Sequence, residues 1–369
     1  ESVWWLLKSI WDNELLYQGF KVVPYCPRCG TPLSDHEVAQ GYQDTDDPSV
    51  YVRMPLVEEP NTYLLVWTTT PWTLPGNVAV AVHPDVDYVT VSTGEDDYSE
   101  KLILAKALVD KVFKDSDLKI HKTMKGKTLK GKRYAPLFTF MPPEKPAHFV
   151  VAADFVTTSD GTGLVHIAPA FGADDMQMAN IYNLPVLMSV NDEGKFKSEV
   201  RPWAGKFVKD ADPLIIQDLK DRGLLFKVEK YTHSYPFCWR CDTPLLYYAR
   251  PTWFIRTSAK KDRLVALNKE INWIPDHIKN GRFGNWLENN IDWALGRDRY
   301  WGTPLPVWEC DSCGNQVCIG SVDELSNFAG RDLSGMDLHR PFIDKVTFSC
   351  PNCQKGTMTR VKELIDVWF

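Results

Sequence analysis

The apolar positions at the start of the chain, Val3, Leu6, Leu7 and Ile10, recur at helical spacing and predict an amphipathic helix over residues 1–18 that Gly19 stops. From about residue 48 the period changes. Short runs at Val50-Tyr51-Val52-Arg53-Met54, Tyr63 to Trp67, Val78 to Val82, Tyr88 to Val91 and Phe149 to Val151 are broken by Pro, Gly, Asn and Asp at hairpin spacing. They predict a β-barrel-like core with a few helices. Met176 to Ile181 reads as a short helix, and Asp212-Pro213 as the N-cap and first position of another, which Gly223 closes. After Cys241 the pattern predicts helices bearing Trp253, Trp273, Trp286 and Trp293. The expected class is α+β. Residues 1–47 hold a helix and a first cysteine knuckle, 48–225 the β-rich domain, 226–308 a second knuckle with a helical connective segment, and 309–369 a cysteine ribbon.

With 369 residues, 44% of them hydrophobic, the chain can bury more than one core. Its 42 basic and 48 acidic residues give a net charge of -6, which argues against a surface that grips nucleic acid nonspecifically. No charged-then-apolar leader opens the chain and no run approaches the roughly 20 apolar residues of a membrane span, so a soluble, cytoplasmic protein without a membrane partner is expected. The chain starts inside a helical pattern and stops at Asp366-Val367-Trp368-Phe369 without a tail, which reads as a piece of a longer protein.

Eight of the nine cysteines fall in four Cys-x-x-Cys pairs. Each pair supplies two of the four ligands that tetrahedral zinc takes. Cys26-Pro27-Arg28-Cys29-Gly30-Thr31-Pro32-Leu33 and Cys238-Trp239-Arg240-Cys241-Asp242-Thr243-Pro244-Leu245 repeat one another almost residue for residue and are expected to share an ion. Cys310, Cys313, Cys350 and Cys353 make a second four-cysteine site by the same logic, with free thiols or redox pairs as the alternative. Cys318, between Val317 and Ile319, reads as a buried strand residue.

Two further stretches carry chemistry. Trp67-Thr68-Thr69-Thr70-Pro71-Trp72-Thr73-Leu74-Pro75-Gly76-Asn77 concentrates hydroxyls and prolines behind an apolar strand, a composition suited to holding a small polar substrate in a rigid frame. A loop whose hydroxyls cap their own backbone has the same composition. The segment from Asp160 to Asp175 places His166, Asp174 and Asp175 around a tight turn. Together the two stretches resemble the editing domain of isoleucyl-tRNA synthetases, class I enzymes whose inserted domain hydrolyses wrongly attached amino acids. Thr-Thr-Thr-Pro-Trp-Thr is similar to the isoleucyl branch, where valyl and leucyl enzymes have Thr-Thr-Arg-Pro-Glu/Asp-Thr. The family's nucleotide-binding signatures, His-Ile/Val-Gly-His and Lys-Met-Ser-Lys-Ser, are absent from these 369 residues, so ATP use and aminoacylation are expected only of the longer parent.

The resemblance implies a substrate, the 3′ end of tRNA(Ile) carrying valine, and a monomeric enzyme. Isoleucine and valine differ by one methylene, worth roughly 1–3 kcal/mol, a difference for which these synthetases are themselves the usual example, so a second and smaller pocket must do the sorting. By the same resemblance Asp175 holds the α-ammonium group, and His166 either orients water or narrows the pocket. Thr68, Thr69, Thr70 and Thr73 surround the ester and terminal ribose, Trp67 and Trp72 form walls, and Asn77 adds an amide contact. Direct attack by water is expected, with both zinc ions structural. Lys122, Lys125, Lys127, Lys130, Lys132 and Arg133 form the dense basic run, either a contact for the tRNA end or a solvated edge. Gly296-Arg297-Asp298-Arg299-Tyr300-Trp301-Gly302-Thr303-Pro304 resembles the segment where the parent chain re-enters its catalytic domain, and a packing role is expected for its arginines here. The alternative is a non-catalytic zinc-ribbon module that binds tRNA. A metallohydrolase would need an open metal position, which four thiolates close.

Overall fold

In the computed structural model, which describes residues 1–92, 99–114, 118–298 and 300–369, the chain divides into a unit of Val22–Arg250 and a unit of Glu1–Lys21 with Pro251–Phe369. The first unit is organised around the strand Ala79–Val82, whose four residues are all inaccessible to solvent. Val80 and Val82 pack into its larger core while Ala79 and Ala81 pack into a smaller one, as the two-residue period of a strand requires. A strand covered on both faces needs no polar alternation, hence its continuous apolar run. It forms the centre of a three-stranded sheet, antiparallel to Leu164–Ile167 and parallel to Phe149–Ala152.

A second sheet has six strands in the order Leu225–Pro236, Tyr42–Pro55, Thr62–Thr68, Lys101–Ala105, Asp87–Ser92, Lys119–Lys125. Val50, Val52, Leu64, Val66, Val89 and Ile103 are buried in its core. Each such side chain contributes about 1.5–3 kcal/mol on burial. All the strands expected between residues 50 and 151 are present, within mixed α/β architecture. The barrel-like expectation needs correction: among the described residues the sheets have six and three strands and separate edges, with no closed cylinder. One edge, Lys119–Lys125, is largely exposed and lysine-rich, a composition that discourages further strand pairing. The basic run begins there. Lys125 is paired with Asp87, Lys132 with Glu59, and Lys130 lies over the Tyr182 ring.

The helix expected from Asp212 starts earlier, at Val208, and runs to Asp221. Val208, Ala211, Ile215 and Leu219 are fully buried and make one continuous apolar face, so packing extends the helix in spite of Pro213 within it. Pro213 has no N–H for the carbonyl four residues back. Asp212 is therefore not an N-cap, and its carboxylate is free to reach another element.

In the second unit the first helix is Ser2–Asp12, shorter than its apolar spacing suggests. Glu14 takes a left-handed conformation and the chain enters the strand Leu16–Cys26, where Gly19 lies inside a strand rather than at a helix end. A Cβ on Gly19 would come within 3.2 Å of the Phe254 ring. The tryptophans past Cys241 also differ from expectation. Trp253 lies in the strand Leu246–Ile255 and Trp293 in Trp293–Ala294, while Trp286 is in the helix Arg282–Glu288. The run Leu246 to Ile255 is rich in aromatic residues, which favour a pleated surface. A four-stranded antiparallel sheet, Gln316–Cys318, Val307–Cys310, Thr357–Arg360 and Phe348–Ser349, carries the later cysteines. The Trp4 indole packs edge-on against buried Trp308, and Cys318 is buried in its strand as expected. Arg297 is ion-paired with the buried Asp366, a packing contact, while Arg299 lies outside the described residues. No helix among the described residues is long and apolar enough to cross a membrane.

Candidate active site

The strand Thr62–Thr68 delivers the threonine stretch to its place. Thr68 closes the strand, Thr69 and Thr70 turn the chain, and Pro71–Gly76 forms a buried 3₁₀ helix. Two prolines fix the backbone of that helix, so its one hydroxyl, on Thr73, is carried by a chain with little freedom. The Thr68 and Thr70 hydroxyls lie 3.2 Å apart, those of Thr70 and Thr73 3.3 Å, and the Thr70 amide donates to Thr68 Oγ1 at 3.1 Å. The Thr73 hydroxyl in turn donates to the Thr70 carbonyl at 2.8 Å.

His166 joins this chain from the other sheet. Its Nε2 is 2.8 Å from Thr73 Oγ1. With the Thr73 proton directed to the Thr70 carbonyl, Nε2–H donates to Thr73 and Nδ1 carries the lone pair. That Nδ1 is buried and has no partner among the described residues. Burial pushes the imidazole down to about 4, so the ring is neutral at pH 7.

The second predicted stretch is pressed against the first by its turn. Gly161 has φ +70°, and a Cβ there would come within 2.7 Å of the Trp67 ring, so only glycine admits this approach. Trp67 also meets Tyr231 edge-on. Asp175 sits in the first turn of the helix Ala173–Tyr182, and its Oδ2 accepts from the Ala168 amide at 2.8 Å. Burial raises its carboxyl to about 6; the Ala168 amide opposes the shift and the neighbouring Asp174 adds to it. Oδ1 makes no hydrogen bond among the described residues, so one oxygen is fixed and one is available.

A cavity of about 320 Å³ opens beside the cluster. Thr70, Trp72, Thr73 and Phe171 line one side, with the Trp72 and Phe171 rings edge to face at 4.9 Å. His233 and Tyr235 line the other, and Tyr42 and Tyr247 also border it. Other sequence-predicted residues are placed differently. The Thr69 side chain makes no hydrogen bond among the described residues. Asn77 is turned away from any ligand: its amide donates to the Ala79 carbonyl at 2.9 Å and its oxygen accepts from Tyr134 at 2.6 Å.

The four cysteine pairs come together as two groups of four. In each group the sulfurs of Cys26, Cys29, Cys238 and Cys241, or of Cys310, Cys313, Cys350 and Cys353, lie within 4.8 Å of one another. Individual separations are 3.5 Å for Cys26 to Cys241, 3.9 Å for Cys29 to Cys238, and 3.7 Å for both Cys310 to Cys353 and Cys313 to Cys350. Four thiolates about 2.3 Å from a tetrahedral ion stand about 3.8 Å apart, so the spacing fits such an ion. Either group could hold a metal.

The family described as tRNA synthetases class I (I, L, M and V) matches residues 1–369. The chain belongs to this family. It is 53% identical over 369 residues to the isoleucine–tRNA ligase of Clostridium acetobutylicum, and 52% identical over 377 to that of Thermus thermophilus, matches that take in 100% of this chain and 35% of each relative. The chain thus spans about a third of the length of the curated relatives it matches. Among solved structures, the cytosolic leucyl-tRNA synthetase editing domain of P. knowlesi is similar at 14% identity with a TM-score of 0.39, over 53% of this chain and 99% of that one.

In this class I synthetase chain, sequence reasoning missed the groups that border the site from elsewhere. Asp212 Oδ1 accepts from the Trp72 amide at 2.8 Å, and burial pushes its carboxyl up to about 7, against the pull of Lys209 and the Trp72 amide, with Asp47 adding to the rise. Asp47 accepts from Lys209 at 2.8 Å and lies 3.1 Å from His233 Nε2. The signals were present. Helical spacing from Val208 puts Asp212 on the buried face, and Tyr231, His233 and Tyr235 alternate along one strand face, their rings 5.3 and 5.6 Å apart.

Proposed function

We propose that this chain carries the editing function of an isoleucine–tRNA ligase, hydrolysis of the ester that joins valine to the 3′ end of tRNA(Ile). The observation that carries the reading is the bonded set Thr68, Thr70, Thr73 and His166 beside an open cavity, in a chain similar along its whole length to isoleucine–tRNA ligases.

Asp175, the carboxylate with one free oxygen, is assigned the α-ammonium group of the substrate. An ammonium partner favours the ionised carboxylate, and the charge-assisted bond orients the ester. The threonine hydroxyls are assigned the ester and the terminal ribose, with Trp67 and Trp72 as flanking walls. A base whose conjugate acid titrates near 4 removes little of a proton from water at pH 7, so His166 acts by accepting a hydrogen bond at Nδ1 and orienting water. The water oxygen attacks the ester carbonyl carbon, the bond to the ribose oxygen breaks, and that oxygen takes up the proton the water gives. Valine and tRNA(Ile) with a free 3′ end leave. A pocket sized for valine supplies the selection against isoleucine.

Zinc is the ion proposed for both cysteine groups. Four thiolates leave no open position for water, so the ions organise the chain and take no part in hydrolysis. Such thiols point to a reducing, cytoplasmic setting. ATP belongs to the remainder of the parent ligase, and a monomer suffices because every assigned group comes from one chain.

The test is release of valine from valyl-tRNA(Ile), compared with isoleucine from isoleucyl-tRNA(Ile), by this chain and by Asp175→Ala. Rapid release of valine alone, lost in the variant while its metal is retained, is the expected result. Binding of tRNA with neither ester cleaved would replace the hydrolytic reading with that of a non-catalytic binding module.

A further inference from the structure

The 3₁₀ helix Pro71–Gly76 begins without help from its own N-cap. Thr70 occupies that position, where a threonine hydroxyl ordinarily accepts from an amide of the first turn, yet it makes no such bond. Pro71 has no N–H, so the Trp72 amide is the first donor the helix offers. Asp212 takes it, at 2.8 Å, from a helix 140 residues further along the chain. The Thr70 hydroxyl instead faces those of Thr68 and Thr73, and Thr70 lines the cavity.

We propose that Asp212 is a positioning residue of this site, capping the threonine turn from outside so that the Thr70 hydroxyl stays in the chain that leads to His166. Capping and site membership compete for one side chain. Without Asp212 the nearest natural acceptor for the Trp72 amide is Thr70 Oγ1, and a hydroxyl drawn back to cap its own turn leaves Thr73 and the cavity. Asp212 is suited to the task because it is only 3% exposed and anchored on a rigid helix, whose neighbouring Lys209 is itself held by Asp47 and lies over the Tyr235 ring. The inference rests on the hydrolytic reading for its catalytic consequence, whereas the capping contact does not.

The experiment uses the whole 369-residue chain with Asp212→Ala and Asp212→Asn, the latter keeping the acceptor oxygen. Two quantities are read: hydrogen exchange of the Trp72 amide, and kcat and KM for valine release from valyl-tRNA(Ile). In Asp212→Ala, exchange at Trp72 should quicken about tenfold, as loss of an ordinary cap implies. Its kcat should fall about a hundredfold, the scale of a displaced catalytic group, with KM nearly unchanged. Asp212→Asn should restore both. If Asp212→Ala does not fold, Asp212→Ser, too short to reach Trp72, carries the same expectations. Unchanged Trp72 exchange, unchanged kcat, or an Asn variant as impaired as Ala overturns the proposal. A wild-type chain that releases no valine overturns the hydrolytic reading alone. The exchange arm then decides the capping, upheld by lost protection in Asp212→Ala and overturned by protection retained.

Discussion

The threonine cluster and the cysteine groups are both built from short polar motifs on turns, yet they end in opposite chemical states. In the two threonine- and aspartate-bearing stretches the hydrogen bonds run out: His166 Nδ1 and one oxygen of Asp175 have no partner among the described residues, and Thr70 and Thr73 line a cavity whose walls include neither His166 nor Asp175. In each cysteine group four sulfurs lie within 4.8 Å of one another, close enough to share one ion. On the proposed reading, the difference separates groups that act from groups that hold. A polar atom left unsatisfied in a buried place costs stability, while a set of metal ligands repays its burial in folding when it holds its ion.

The largest effect is expected at the cysteines. Stripping metal with a chelator, or changing Cys238 to Ala, should unfold the unit containing it, since structural zinc contributes on the order of 10 kcal/mol in small sites. Circular dichroism with metal analysis reads this, and a chain that keeps its fold and its valine release without metal would remove the distinction.

Next in size is Asp175→Ala. Valine release should fall at least about a hundredfold, while the melting temperature moves by no more than the loss of one hydrogen bond, about 1–2 kcal/mol. Acidity gives a related test. The Asp175 carboxyl is raised from 3.8 to about 6, so the folded state binds its proton more tightly than the unfolded chain. This contribution to stability is therefore greatest below pH 3.8 and declines as pH rises toward 6. Activity runs the opposite way, because the ionised form is needed: kcat/KM should fall about tenfold per pH unit below 6. A profile flat from about pH 5 to 8 would remove Asp175 from the mechanism.

Asn77→Ala should do the reverse of Asp175→Ala. It strands the Tyr134 hydroxyl and the Ala79 carbonyl, costing roughly 1–3 kcal/mol of stability, with valine release nearly unaffected. A large loss of kcat with an unchanged melting curve would return Asn77 to the site. The smallest effect is expected at Cys318→Ala. It lies in neither sulfur group and is merely buried, so about 1 kcal/mol of stability and no metal should be lost.

The sequence was most legible where a residue type has few uses. The near-repeat of Cys26–Leu33 at Cys238–Leu245 announced a shared site across the chain, and the similarity to isoleucyl-tRNA synthetases read from two stretches extends over all 369 residues. The strand Thr62–Thr68 was plain from its apolar run. Legibility failed where one residue has two common uses. Asp212 before proline is an ordinary helix start, and only the buried face from Val208 to Leu219 reveals that the helix was already under way. Asn77, seen in a row of polar residues, has the composition of a ligand-binding group, whereas the Tyr134 hydroxyl, far along the chain, has claimed its oxygen. The spacing from Val208 carries the Asp212 signal locally, whereas the fate of Asn77 depends on a long-range contact that no local pattern encodes.

The Cys26 and Cys241 sulfurs lie 3.5 Å apart although 215 residues separate them in sequence. The chain leaves this point and comes back to it, so the intervening residues form a near-closed ring whose two ends present a single attachment point to whatever carries them. Such a ring is modular: a host chain can acquire, discard or exchange it without moving its own severed ends, because those ends need bridge only a few ångströms. One clamp of four thiols would then make the whole ring portable as a unit.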